Sequence, residues 1–172
     1  MHDVTLRAAT AQDAPLLQEI ELATHEQFRE VGHPEAADDG ADPLDVLISY
    51  AAARRSWVAV DRADRPIGYV LVDIVDGSAH ISQVTVRPDC QGKGTGRLLV
   101  ERVKGFARDN GLRAITLTTY SDVPWNRPLY EHLGFEVLVE ADIGAELRDI
   151  RFQEADRGFG PEGRVAMRLD IF

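Results

Sequence analysis

The stretch Gln91-Gly92-Lys93-Gly94-Thr95-Gly96-Arg97 places three glycines at alternate positions, between an apolar β-branched run (Val84-Thr85-Val86) halted at Pro88 and residues Leu98, Leu99, Val103 and Phe106 at helical spacing. Strand, glycine loop and helix follow one another. Glycine lets a backbone adopt dihedrals closed to other residues and approach a ligand closely, while a helix start offers unpaired N–H groups and the positive end of its dipole. The chemistry this suits is phosphate binding. Two familiar phosphate loops are excluded by spacing. A nucleotide-hydrolase loop needs a hydroxyl residue after Gly92-Lys93, where Gly94 stands. A dinucleotide fingerprint needs Gly-x-Gly-x-x-Gly, and Gly96 falls one position early. Metal chemistry is not implied, because His2, His25, His33, His80 and His132 are scattered and Cys90 is the single cysteine.

The surrounding elements must position that loop. Val4 to Ala8 reads as a strand, and Thr10 with Asp13 as a capping box opening a helix whose apolar positions are Leu16, Leu17, Ile20, Ala23 and Phe28. Val31 to Asp42 has loop chemistry; Asp42 and Pro43 open a second helix running to about Arg55. Trp57–Val60, Pro66–Val75 and Ala79–Val86 are expected to form an antiparallel meander joined by short turns. Thr95 to Asn110 is a helix closed by Gly111, Ala114 to Thr119 a buried strand, Arg127 to Leu133 a short helix ended by Gly134, and Phe135 to Val139 a further strand. Leu147 to Arg157 reads as a helix and Arg164 to Ile171 as a last alternating strand. No repeat, low-complexity tract or linker interrupts residues 1–172, which are expected to form one domain.

Gln91-x-x-Gly94-x-Gly96 after Val84-x-Val86-x-Pro88 closely resembles the pyrophosphate loop of the GNAT superfamily of acyl-CoA-dependent N-acyltransferases. Leu129-Tyr130, three residues and Gly134-Phe135 resemble its second signature. The likeness is motif-specific from His80 to Gly96 and from Val123 to Phe135. It implies an α+β fold in α/β/α layers: a mixed, mostly antiparallel sheet, splayed between its fourth and fifth strands and flanked by helices.

The resemblance also implies roles. Backbone amides of Gln91, Gly92, Lys93, Gly94, Thr95, Gly96 and Arg97 would hold the CoA pyrophosphate. Main-chain groups of Val84, Thr85 and Val86 would bind the pantetheine, threaded between the splayed strands, like an added strand, one amide polarising the thioester carbonyl. Tyr130 would protonate the departing thiolate. Asn126 resembles a CoA-contacting asparagine but precedes Tyr130 by four residues, where the commoner pattern has seven. An acceptor amine arrives as ammonium and needs a base, for which His80 is the candidate, on the strand face of Ser82 and Val84. His25 and His33 are rivals, and Glu26 and Glu30 could hold a cationic acceptor.

Twenty-nine acidic against nineteen basic side chains give a formal charge of −10, which disfavours nucleic acid and suits a cationic acceptor. No segment approaches the ~20 apolar residues of a membrane span. No basic-then-apolar leader is visible, and the lone cysteine forbids an intrachain disulfide, so a soluble cytoplasmic protein is expected. The reading is therefore an acetyl-CoA-dependent N-acetyltransferase acting on a small-molecule or peptide amine in a ternary complex, without metal, nucleic acid or membrane, homodimerisation being left open. The alternative is a non-catalytic acyl-CoA-sensing module, which would keep the loop and lose the acid or base.

Overall fold

The computed structural model describes residues 3–160 and 162–172, so that His2 lies outside the described residues. Its strands are β1 (Thr5–Ala8), β2 (Ser56–Val60), β3 (Pro66–Val75), β4 (Ser78–Val86), β5 (Ala114–Tyr120), β6 (Glu136–Val137) and β7 (Arg164–Asp170). Its helices are α1 (Ala14–Glu26), α2 (Pro34–Asp38), α3 (Leu44–Ala52), α4 (Thr95–Asp109), α5 (Arg127–His132) and α6 (Ala145–Asp156). Among the described residues the strands form one mixed sheet in the order β1-β2-β3-β4-β5-β7-β6, flanked by helices. β1–β2, β2–β3, β5–β7 and β6–β7 pair antiparallel, and β4 pairs with β5 in parallel. The expected fold class is the observed one. No helix among the described residues is long and apolar enough to cross a membrane.

The chain divides into two compact units, through both of which β3, β4 and α4 pass: Met1–Val72 with Ser82–Val103, and Asp73–Ile81 with Lys104–Phe172. In the first, Leu17 and Ile20 of α1 and Leu47 of α3 pack on Val58 and Val60 of β2 and on Tyr69 and Leu71 of β3. Side chains alternate across a strand, so Trp57 faces the other way, where the Arg102 guanidinium of α4 lies 4.8 Å from its ring centroid. Helices thus cover both faces. In the second unit, β5 and β7 pair along seven residues, from Ala114↔Asp170 to Tyr120↔Arg164. Ile143, Leu147, Val75 and Ala166 make its small core. Asp76 accepts the Glu146 and Leu147 amides at 3.1 and 2.9 Å, and the Glu146 carboxylate takes the Asp76 amide in return, which fastens α6 to the β3–β4 turn.

Several local expectations are corrected. The Val31–Asp42 stretch contains α2, with Pro34 at its first position and His33 preceding it, as proline-initiated helices allow. Pro43, not Asp42, stands before α3, which ends at Ala52. The Thr10–Asp13 box exists, its Asp13 carboxylate accepting the Thr10 amide at 2.8 Å, but it opens a 3₁₀ turn leading into α1. The strand expected over Phe135–Val139 shrinks to two residues, at the sheet edge. The β3–β4 turn has positive φ at both Asp76 (48°) and Gly77 (72°), the geometry of a two-residue hairpin loop.

Candidate functional site

Gly92 and Gly94 have φ of +74° and +86°, and a Cβ built on either meets nothing within 4 Å. Backbone conformation, not crowding, requires glycine there. Gly96 differs. Its φ lies outside the left-handed range, and its nearest neighbour would be Val86 Cγ2 at 4.0 Å, so neither strain nor packing demands glycine. The first helical bond of α4 runs from the Leu98 amide to the Gly94 carbonyl, leaving the Thr95, Gly96 and Arg97 amides without an intrahelical acceptor. All but Thr95 and the half-buried Gly96 are exposed from Gln91 to Arg97. An open loop ending in a helix start fits a pyrophosphate.

Side chains tie the loop down. Gln91 donates to the Val86 carbonyl at 2.9 Å and to Gln27, just past the end of α1, at 3.1 Å. Lys93 Nζ donates to the Asp89 carbonyl at 3.3 Å, and Arg87 makes a two-point pair with Asp89 at 2.6 and 3.0 Å. The Asp89 carboxyl is held below the usual range, chiefly by that hydrogen bond.

The direction of the β4 backbone follows from its neighbour. The Arg87 amide donates to the Ile67 carbonyl of β3 at 2.7 Å, and a Cβ on Gly68 would lie 2.9 Å from the Thr85 carbonyl. Thr85 therefore turns its main chain toward β3, and by alternation the amides of Val84 and Val86 point to the opposite edge. The Val86 carbonyl on that edge accepts Gln91 and, at 3.3 Å, the Thr24 hydroxyl. The Thr85 hydroxyl is buried without a partner. The parallel ladder of β4 with β5 comprises Ala79↔Ile115 and His80↔Thr116, beyond which both strands continue.

His80 and Tyr130 fall in one unit, and Val84–Val86 with the glycine loop in the other. His80 is 3% exposed; its Nδ1 lies 2.9 Å from the Thr116 hydroxyl. Burial lowers its pKa below the ordinary imidazole value, against the charges of Glu154, Asp73 and Asp76. Ser82, two residues on, is exposed. Tyr130 lies in α5, its ring 5.8 Å from that of Phe135 at 70°. Gly134 (φ +98°) reverses the chain and the Phe135 amide takes the Tyr130 carbonyl at 3.0 Å, so the Tyr…Gly-Phe spacing is that of a left-handed helix cap. Burial pushes the phenol up to about 12, opposed by the charge of Arg164. Asn126 stands before α5, its carbonyl accepting the Tyr130 amide at 3.2 Å.

The rivals are engaged elsewhere. His33 Nδ1 lies 2.8 Å from Glu35, and Glu26 accepts Arg29, which also reaches Asp38 at 2.6 Å. His25 lies beside Glu21, a buried carboxyl of α1 that the sequence reading passed over. Its signal was there: Gln18, Glu21 and His25 recur at helical spacing beside the apolar stripe. Among the described residues no His, Cys, Asp and Glu cluster could hold a metal ion.

The fold and loop define a class, and comparison with known proteins shows it: residues 16–135 match the Acetyltransferase (GNAT) family, and the chain belongs to that family. It is similar to the mycothiol acetyltransferase of Propionibacterium freudenreichii, at 30% identity over 87% of this chain and 49% of that one. It is also similar to the peptidyl-lysine N-acetyltransferase YjaB of Escherichia coli, at 26% over 58% and 61%. The chain spans about half to two thirds of the length of the curated relatives it matches. The PaiA N-acetyltransferase of Thermoplasma acidophilum, solved in complex with coenzyme A, shares the fold: TM-score 0.69 and 12% identity, over 98% of this chain and 99% of that one.

Proposed function

We propose that residues 1–172 act as one catalytic domain that moves acetyl from acetyl-CoA to a primary amine of a small molecule or peptide by direct attack in a ternary complex. The observation that carries this is the loop: left-handed Gly92 and Gly94, a Gly96 that the protein itself does not require, and the open start of α4. Amides from Gln91 to Arg97 hold the pyrophosphate, joined by Asn126 on the CoA side. Val84 and Val86 offer their edge amides to the pantetheine, and one of them steadies the thioester oxygen as negative charge grows there. Peptidyl-lysine and mycothiol acetyltransferases among the relatives support an acetyl donor.

His80 takes the proton that the acceptor ammonium must lose before attack. As the C–N bond forms and the C–S bond breaks, the bonding pair leaves on sulfur. Burial, which pushes the Tyr130 phenol up to about 12, favours its neutral, protonated form. The phenol therefore serves the sulfur as a hydrogen-bond donor, and the proton released by the amine completes the thiol. An acceptor-panel assay following CoA release, including a lysine peptide and free amines, tests the reading. Amine-dependent CoA release with acetylated product is expected. Acetyl-CoA binding without turnover on any amine would instead favour the acyl-CoA-sensing module.

A further inference from the structure

Helix α6 lays Leu147, Ile150, Arg151 and Glu154, residues at the spacing of one helix face, against the sheet. Leu147 and Ile150 pack with Val75 and Ala166, and the Arg151 guanidinium donates to the Arg164 carbonyl at 3.4 Å. Glu154 closes the stripe with an ion pair. Arg164 donates from Nε to Glu154 Oε2 and from Nη2 to the Thr118 hydroxyl, both at 3.1 Å, and that hydroxyl donates to Glu154 Oε1. The two charged side chains are only 16% and 14% exposed.

Ala166 is the cross-strand partner of Thr118, so Thr118 lies on the face of β5 that α6 covers, and by alternation Thr116 and Tyr120 share it. Thr116 is the parallel partner of His80, and its hydroxyl lies 2.9 Å from the imidazole Nδ1. At the other end the Arg164 guanidinium lies 4.7 Å from the Tyr120 ring centroid and 5.7 Å from that of Phe159. Along this face of β5 the order is therefore imidazole, carboxylate, guanidinium, with a rise of about 7 Å from Thr116 to Thr118. The carboxylate is the nearer charge to His80. All of these residues belong to one compact unit.

A buried imidazole that takes up a proton becomes a cation cut off from water, which is costly unless an opposite charge lies within reach. We propose that Glu154, anchored by Thr118 and Arg164, is the positioning residue whose charge lets His80 keep the proton taken from the acceptor amine. Glu154 acts only through His80, and this role rests on the acetyltransferase reading with His80 as base. For Nε2 to accept that proton, Nδ1 must carry its own hydrogen and donate it to the Thr116 hydroxyl. The groups facing His80 are Thr116 on β5, Glu154 on α6, Asp73 on β3 and Asp76 in the β3–β4 turn. Burial lowers the imidazole pKa, and of the three carboxylates that oppose it Glu154 acts most strongly. Asp76 is already held by the Glu146 and Leu147 amides.

Imidazole NMR of the unliganded protein from pH 4 to 8, paired with kcat/KM against pH for one acceptor, tests this role. In Glu154→Gln the His80 midpoint should move to lower pH, because the imidazolium has lost its counter-charge. The acidic limb of kcat/KM should move with it, and the plateau should fall several-fold as the base weakens. Glu154→Asp keeps the charge but sets it back by one methylene, so its midpoint and limb should fall between those of wild type and Glu154→Gln. Where Glu154→Gln does not fold, Glu154→Asp must still lower the midpoint. A midpoint unmoved in the folded variants overturns the proposal, and so does an Asp variant displaced as far as the Gln variant, since packing rather than charge would then be the cause. A wild-type His80 that stays neutral throughout overturns it without any variant. A midpoint that moves while the limb stays put would remove His80 as the base. Absence of turnover on every amine would count against the acetyltransferase reading alone, because the imidazole is titrated without substrate.

Discussion

The proposed mechanism assigns parts to one phenol and one imidazole, and their surroundings differ in ways that make separate predictions. Tyr130→Phe removes one hydrogen bond to a departing anion, worth about 1.5–3 kcal/mol, so kcat should drop by roughly 10- to 150-fold while acetyl-CoA affinity holds. Single-turnover kinetics with a titrated acetyl-CoA Kd check both halves; an unchanged chemical step removes Tyr130 from the mechanism. His80 is buried and its pKa is lowered, so the acidic limb of kcat/KM should fall below the ordinary imidazole value. Replacing it by Gln should abolish that limb and cost on the order of 10²- to 10⁴-fold where proton transfer limits the rate. Profiles that match in both proteins would move the base elsewhere.

The loop and the helix after it work as one element, since the positive φ of Gly94 sets the direction in which the first amides of α4 face. Gly94→Glu adds a residue disfavoured at φ +86° and a charge that repels phosphate. Strain of about 1 kcal/mol should lower Tm by about 2–4 °C, and the acetyl-CoA-induced rise in Tm should vanish. Thermal scans with and without acetyl-CoA read both effects, and a folded variant that binds at wild-type affinity would reject the loop assignment. Gly68 is a second such position for the opposite reason: an added Cβ would press on the Thr85 carbonyl and Val86, shifting the strand that presents the edge amides.

Across the whole molecule, binding and protonation register as stability. Acetyl-CoA at a hundred times its Kd should stabilise the fold by about 2.7 kcal/mol, a rise of about 5–11 °C in Tm for a chain of this size. Glu21 and His80 then act with opposite signs on the pH dependence. The Glu21 carboxyl is raised from 4.5 to about 7, so the native state binds a proton that the unfolded chain has released, and stability falls as pH rises across that window. His80 has a lowered pKa, so the unfolded chain binds the proton first, and stability is lost as pH falls below about 6.5. Denaturation midpoints against pH should show Glu21→Gln removing a loss of at most about 3.4 kcal/mol between pH 4.5 and 7, the upper limit set by 2.5 pK units. A curve unaltered by the substitution would mean that the carboxyl is not perturbed.

The sequence alone determined what local rules govern. Glycine spacing, the strand halted at Pro88, the helix cap at Gly134 and the apolar periods of α1, α4 and β7 are each written within a few consecutive residues, and together they yielded the family and the sheet class. What only the tertiary structure decided depends on neighbours distant in the chain. His80 reads as an ordinary strand histidine until Thr116, thirty-six residues away, is placed beside it. Thr85 and Val84 look alike in sequence, yet the register with β3 decides which amide faces the free edge. Glu21 recurs with Gln18 and His25 at helical spacing, but that spacing does not show its burial, which raises its pKa and comes from segments distant in the chain. Burial and register are properties of pairs of segments, and one segment's residues do not encode them.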